Sequence, residues 1–288
     1  MKSKSKILAG FMATVIGLIG LSGCNTTQAS DTSDALEEIK AAGKLVVTTS
    51  PDYAPHEFYV LDENNEKQIV GSDISLAQAI ADEIGVELEI VATDFSGVLA
   101  NIQSSQADLG ISGLSKTLKR AEVMQFSDGY FESLGEDYQG LMVRNEDVDK
   151  YANLDDLKEA NLTIGAQAGS IQAEMAANVT DPANIKQLGT MDSLLLALTQ
   201  GDVDAVVVST DTAGPYATTF PDLTILAKDD FNLDPDAFYT DYAVAFPMGD
   251  EYQSLIDLVN EIIAKAKANG DIEQWIIEAN DLVDQSVN

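Results

Sequence analysis

FSGVLANIQSSQADL (residues 95–109) and MDSLLLALTQGDVDA (residues 191–205) carry one plan twice. In the first, Phe95, Val98, Leu99 and Ile102 fall at i, i+3, i+4 and i+7; Met191, Leu194, Leu195 and Leu198 repeat the spacing 96 residues later. That spacing places four apolar side chains on one helix face. Each helix then passes through a polar turn into an apolar–Asp–apolar strand start, Ala107-Asp108-Leu109 and Val203-Asp204-Ala205. The pair predicts two similar βαβ units, one in each of two lobes.

The flanking segments alternate in the same way. Leu45–Thr49, Val86–Ala92 and Ala107–Leu114 read as strands. A helix over Asp73–Gly85 presents Ala77, Ile80, Ala81 and Ile84 on one face, and the helix from Phe95 is expected to reach about Gln106. Further strands are expected at Leu162–Ala166, Val203–Val208, Leu223–Ala227 and Tyr242–Phe246. A long helix with Leu255, Leu258, Val259, Ile262, Ile263 and Ala266 on one face stops at Asn269-Gly270, and a short one carries Trp275. Alternating strands and helices define an α/β chain. Ligands of open α/β sheets bind beyond the carboxyl ends of strands, so the loops after Leu45–Thr49, Ala107–Leu114, Leu162–Ala166 and Val203–Val208 should line a cleft.

The N-terminus has a different grammar. Lys2, Lys4 and Lys6 precede an apolar run over Ile7–Gly20. The run is too short for a ~30 Å hydrocarbon core but suits a signal peptide. It ends in Leu21-Ser22-Gly23-Cys24, which resembles a lipobox, with cleavage before an acylated Cys24. Residues 1–23 are thus expected to be removed and 24–35 to form an acylated tether. Cys24 is the only cysteine, so no intramolecular disulfide is possible. Diacylglycerol on that thiol would hold the protein on a membrane it does not cross.

The formal charge is −32, and −35 without the three signal lysines. Such a surface repels phosphates and excludes nucleic-acid binding.

Four stretches then carry a family resemblance. Ser50-Pro51-Asp52-Tyr53-Ala54-Pro55-His56-Glu57-Phe58 resembles the first cleft loop of the family 3 solute-binding proteins, which serve polar amino-acid ABC importers. Ile69-Val70-Gly71-Ser72-Asp73-Ile74 resembles that family's "IVGFDVDL" element. The run from Ile111 to Arg120 resembles its "ISGxTxTxxR" loop, and Phe126-Ser127-Asp128-Gly129-Tyr130 its "FSDPYY" entry to the hinge. The likeness runs from about Gly43 to Trp275. It implies a two-lobed periplasmic-binding-protein-like fold of type II, each lobe a doubly wound sheet with helices on both faces and the ligand cleft between them. Lobe 1 is expected at 36–131 and 245–288, lobe 2 at 136–240, with hinges near 130–139 and 241–245.

Arg120 is the leading site residue. Only it and Arg144 are arginines, against 48 acids. A guanidinium meets a carboxylate with two parallel hydrogen bonds, which an ammonium does not. Ser112, Gly113, Ser115 and Thr117 can complete an anion-receiving ring of hydroxyl and N–H donors. The resemblance implies that Arg120 clamps the substrate α-carboxylate and that Tyr53 and Phe95 sandwich its side chain. Gln167 and Ser170 stand in a run resembling the family's "GVQxGTT" loop, although Ile171 replaces a threonine there. Where the family has an acid for the α-ammonium, this chain has Ser209, and Ser50 stands where several members have a second acid. An unpartnered buried ammonium is costly. Either Asp211, Asp52 or Asp241 takes that role, with Asp211 favoured, or the ligand lacks an α-amino group.

His56, the lone histidine, stands where the family commonly has phenylalanine; a ring at the cleft lip could make pH-sensitive contacts, but the favoured reading is a packed or solvated ring. The run Asp230, Asn232, Asp234, Asp236 alternates like part of a calcium loop, but Pro235 stands where its sharp-turn glycine should be, so it reads as a surface loop.

These residues predict an extracytoplasmic substrate-binding lipoprotein capturing an amino acid or related carboxylate for a permease and its ATPase. It is expected to be a monomer, without cofactor or metal. The alternative is an enzyme on the same fold, dehydratase-like and acting on a carboxylated substrate. An extracellular sensor domain is a third reading. No nucleophile–base pair, HExxH, GxSxG or phosphate loop supports catalysis.

Overall fold

The structure, a computed structural model, describes residues 34–132, 137–212, 216, 219–236, 239 and 241–287. The expected signal peptide, Cys24 and all but the end of the expected tether lie outside these residues.

Strands β1 (Lys44–Thr49), β2 (Asp52–Tyr53), β3 (Glu57–Leu61), β4 (Lys67–Val70), β5 (Glu87–Ala92), β6 (Leu109–Gly110) and β7 (Gln125–Glu132) occupy the first half. The second half supplies β8 (Gln139–Arg144), β9 (Ile164–Gln167), β10 (Ile185–Leu188), β11 (Ala205–Ser209), β12 (Leu223–Ile225) and β13 (Asp241–Phe246). They build two five-stranded sheets, β5-β1-β6-β13-β7 and β10-β9-β11-β8-β12. The sheets share one plan. In the first, β1 lies parallel to β5 and β6, and β13 runs antiparallel to β6 and β7. In the second, β9 lies parallel to β10 and β11, and β8 runs antiparallel to β11 and β12.

Helices cover both faces of each sheet, giving the two-lobed α/β fold. On one face of the first, Leu76 and Ile80 from the helix Ser72–Ile84 and Leu255, Val259 and Ile263 from Gln253–Asn269 pack on Leu45, Val47 and Val244. Val98 and Ile102 cover the other face with Leu114 and Ala245. In the second lobe, Ile171, Met175 and Leu157 pack on Leu141, Ile164 and Val207. Leu194, Leu195 and Leu198 pack on Met142, Val206 and Val208 from the opposite side.

The 96-residue repeat is structural down to single bonds. The helices Phe95–Gln103 and Met191–Gln200 are each started by a side chain: Asp94 accepts from the Gly97 N–H at 2.8 Å, and Thr190 from the Ser193 N–H at 3.3 Å. The repeated aspartates do identical work. Asp108 accepts from the Val46 N–H at 2.7 Å, and Asp204 from the Thr163 N–H at 2.9 Å. Each carboxylate braces its strand start to the neighbouring strand.

Several elements differ from the sequence expectation. Only Leu109–Gly110 of the expected strand Ala107–Leu114 enters the ladder; beyond it Ser112 and Gly113 bond to the side chains of Glu57 and Asp73 instead. The helix from Phe95 stops at Gln103, where Ser104 caps it and Ser105 takes φ 53°. The strand at Leu223 ends at Ile225 rather than Ala227. A small third sheet, β2-β3-β4, was not foreseen; it holds the first cleft loop. Among the described residues no helix is long and apolar enough to cross a membrane.

Candidate functional site

Loops from both lobes meet around one cavity. From the first lobe, Asp52, Tyr53, Glu57, Phe95, Ser112, Gly113, Ser115 and Arg120 line it, with Tyr242 of β13. From the second come Gln139, Gln167, Ser170, Ile171 and Gln172. Two glycines set the first-lobe loops. Gly71 sits at φ 132°, where a Cβ would lie 2.0 Å from the His56 carbonyl oxygen. Gly113 sits at φ 52°, where a Cβ would press the Tyr53 ring at 3.0 Å. Its N–H donates to Asp73 Oδ2 at 2.9 Å, which fixes the loop.

Arg120 is 9% exposed, a burial that guanidinium groups accept only with partners. Nη1 donates to the Ser115 carbonyl at 2.8 Å and Nη2 to the Gly169 carbonyl of the other lobe at 3.1 Å. Its Cζ lies 5.3 Å from the Phe95 ring centroid, a cation–π distance. Among the described residues no carboxylate pairs with it, whereas Arg144 pairs with Asp147. Burial brings the Arg120 guanidinium down to about 10. The described contacts of this buried cation are thus two carbonyl oxygens and a ring.

Two carboxyl groups sit on the same wall. Glu57 is 1% exposed; its Oε1 accepts from Ser112 Oγ at 2.7 Å, and its Oε2 has no hydrogen-bond partner. Burial, and then the neighbouring Asp73, push its carboxyl well above the usual range. Asp52 accepts from Ser50 Oγ at 2.9 Å and from Gln167 Nε2 at 3.0 Å. Burial pushes its carboxyl up to about 6, despite the bond from the Met191 N–H.

Of the residues singled out from sequence, Tyr53, Phe95, Ser112, Gly113, Ser115, Arg120, Gln167 and Ser170 come together here. Two of their hydroxyls are already committed. Ser112 gives its proton to Glu57, and Ser170 donates to the Gln167 carbonyl at 2.7 Å while accepting from the Ala173 N–H. Ser170 is thus a helix cap rather than a free donor.

Thr117, Ser209 and Asp211 do not reach the cavity wall. Thr117 Oγ1 accepts from the Arg120 N–H at 3.1 Å and shapes the turn carrying that residue. Ser209 Oγ accepts from Gln139 Nε2 at 3.1 Å, and Gln139 faces the cavity in its place. Asp211 lies behind Tyr242, whose hydroxyl donates to it at 2.7 Å. Asp241 is exposed, pairing in register with Glu132 at the start of β13.

Sequence reasoning missed Gln139, Gln172, Ile171 and Tyr242 as wall residues, and named Glu57 only as part of the first cleft loop. Glu57 had a signal: a lone acid opening the apolar strand Glu57–Leu61. Gln139 and Gln172 carry no such mark.

A cleft that two matched lobes close over a buried, acid-free guanidinium is the architecture of a solute receptor. The chain belongs to the bacterial extracellular solute-binding proteins, family 3, and the match covers residues 45–278. A solved amino acid ABC transporter substrate-binding protein, AbpA of Streptococcus pneumoniae bound to L-arginine, is 38% identical, with a TM-score of 0.77 over 86% of this chain and 98% of that one. The arginine-binding extracellular protein ArtP of Bacillus subtilis is 29% identical over 80% of this chain and 84% of its own. A probable histidine-binding protein of Campylobacter jejuni is 26% identical over 92% and 94%.

Proposed function

We propose that this chain is the membrane-anchored receptor of an ABC importer and captures an amino acid with a basic side chain. The charge pattern of the cavity wall carries the reading. It offers one guanidinium, Arg120, and two carboxylates, Asp52 and Glu57. A basic amino acid is its complement, with one carboxylate and two cationic groups. Arg120 takes the α-carboxylate, and Asp52 and Glu57 between them take the ammonium and the side-chain cation. Tyr53 and Phe95 flank the aliphatic stem, with Gln139 and Gln172 as neutral partners. The names of the arginine-binding relatives support the same class.

In this reading Ser115, Gln167, Thr117 and Ser170 shape the cleft, and Ser209 and Asp211 act behind its wall. Residues 36–131 and 245–288 move as one lobe and 136–240 as the other, about hinges near 130–139 and 241–245. Ligand favours the closed arrangement because it contacts both lobes. Lipidated Cys24 keeps the monomer on the extracytoplasmic face of the cell membrane, where it delivers its cargo to a permease powered by a partner ATPase. No turnover is assigned.

Calorimetry with L-arginine, L-lysine, L-histidine, L-glutamine and L-glutamate tests the class. Tight, stoichiometric binding confined to the basic amino acids is expected. Preference for glutamate, or turnover of any of them, refutes it.

A further inference from the structure

His56 is the only histidine in the sequence and is 1% exposed. It lies outside the cavity wall, boxed by three rings: Tyr53 at 5.7 Å, Phe131 at 5.0 Å and Tyr242 at 5.3 Å between centroids. Each ring nitrogen faces a buried carboxylate. Nδ1 lies 3.1 Å from Ser72 Oγ and 3.9 Å from Asp73 Oδ1 in the first lobe. Nε2 lies 3.7 Å from Oδ2 of Asp211, which follows β11 of the second lobe. The Ser72 contact is a hydrogen bond, and the two carboxylate separations are ion-pairing distances.

Each acid keeps one oxygen without a hydrogen-bond partner. Asp73 Oδ2 accepts from the Tyr130 hydroxyl at 2.8 Å and from Gly113, but its Oδ1 has no hydrogen-bond partner. The Asp211 side chain is 6% exposed, and its Oδ1 likewise has none. Among the described residues His56 is the only basic side chain within ion-pair distance of either. Burial pushes the Asp211 carboxyl up, yet His56, Ser209 and Tyr242 together hold it below the ordinary range. An ionised acid this deep is retained only against a cation. The other titratable groups around the ring are Tyr53 and Tyr242, which burial keeps neutral, and Glu57 next in the chain.

We propose that His56 is a positioning residue that clamps the closed lobes: as an imidazolium it ties Asp211 of the second lobe to Asp73 of the first. An imidazole changes charge between pH 5 and 8, which makes the clamp testable by pH. The consequence for ligand release rests on the receptor role proposed above; the ion pairing itself does not.

A single histidine makes the test direct, because its ring signals need no assignment. In the full chain labelled with 15N-histidine, the ring signals should respond to Asp211→Asn, the titration midpoint being lower than in the native chain. Release of L-arginine, followed by stopped flow, should be about fivefold or more faster in His56→Gln than in the native chain at pH 6.5. The two should converge by pH 8, and Asp211→Asn should add nothing to His56→Gln. An unchanged ring midpoint, or a release ratio independent of pH, overturns the clamp. If L-arginine does not bind, the receptor reading fails on its own and the ring titration decides the clamp alone.

Discussion

Asp52 Oδ2, on the first cleft loop, accepts at 2.8 Å from the N–H of Met191, the first residue of a helix in the other lobe. A carboxylate at a helix start is favoured by the exposed N–H groups and by the helix dipole. Here burial outweighs that help. The carboxyl rises from 3.8 to about 6, so Asp52 contributes fully below about pH 3.8 and loses that contribution as pH rises through about 6. Asp52→Asn keeps an acceptor for Met191 without the buried charge. The ligand-free variant should be more stable at pH 7.5 by about 2–3 kcal/mol at most, a few degrees in Tm, and no more stable at pH 4. L-arginine should bind it about tenfold or more weakly. Thermal unfolding at the two pH values, with and without ligand, measures both effects.

Arg120 should be irreplaceable by lysine. Its guanidinium reaches carbonyls of both lobes while resting on Phe95, a planar arrangement that a point-charge ammonium does not reproduce. Arg120→Lys and Arg120→Ala should both weaken L-arginine binding by about 100-fold or more. Because the native cation is buried without an acid, neither should lower the ligand-free Tm by more than a few degrees. Calorimetry and unfolding curves on the same samples separate the two effects.

Glu57 should release a proton when a cationic ligand arrives. Its carboxyl is held well above the usual range by burial and by Asp73, and a cation beside Oε2 favours the ionised form. Binding heats measured at pH 6 in buffers of different ionisation enthalpy should report proton release. Glu57→Gln should reduce that release and shift preference toward neutral amino acids.

Lys119 and Glu174 meet across the cleft at 2.7 Å, with side chains 78% and 53% exposed. Exposed pairs of this kind contribute little. Lys119→Ala should change the L-arginine off-rate by less than about fivefold, and 0.5 M salt should do no more. A larger effect would mark the pair as a true latch.

The fold was legible because its signals are periodic. The helix faces of Phe95–Ile102 and Met191–Leu198 and the repeated aspartates Asp108 and Asp204 stand in the sequence as spacing, and the structure returns them as spacing. Arg120 was legible by rarity and chemistry. The fate of hydroxyls and acids was not. Whether Ser170 donates to a ligand or to Gln167, and whether Asp211 faces the cavity or turns behind Tyr242, depends on neighbours 3 to 31 residues away in chain. No local pattern encodes that choice. His56 is packed, as its sequence context suggested, but its two carboxylate neighbours were not legible for the same reason: they come from Asp73, 17 residues on, and from a turn in the other lobe.

The strand order has a consequence for the way the chain matures. The second sheet is drawn from a continuous stretch, Gln139 to Ile225, and can assemble as soon as that stretch is free. The first sheet cannot. β13, which lies between β6 and β7, is the last strand to emerge, and until it arrives β7 has no partner in the sheet. The first sheet therefore stays incomplete while the second already has all its strands, so the lobe that begins later is the first to have its whole sheet available.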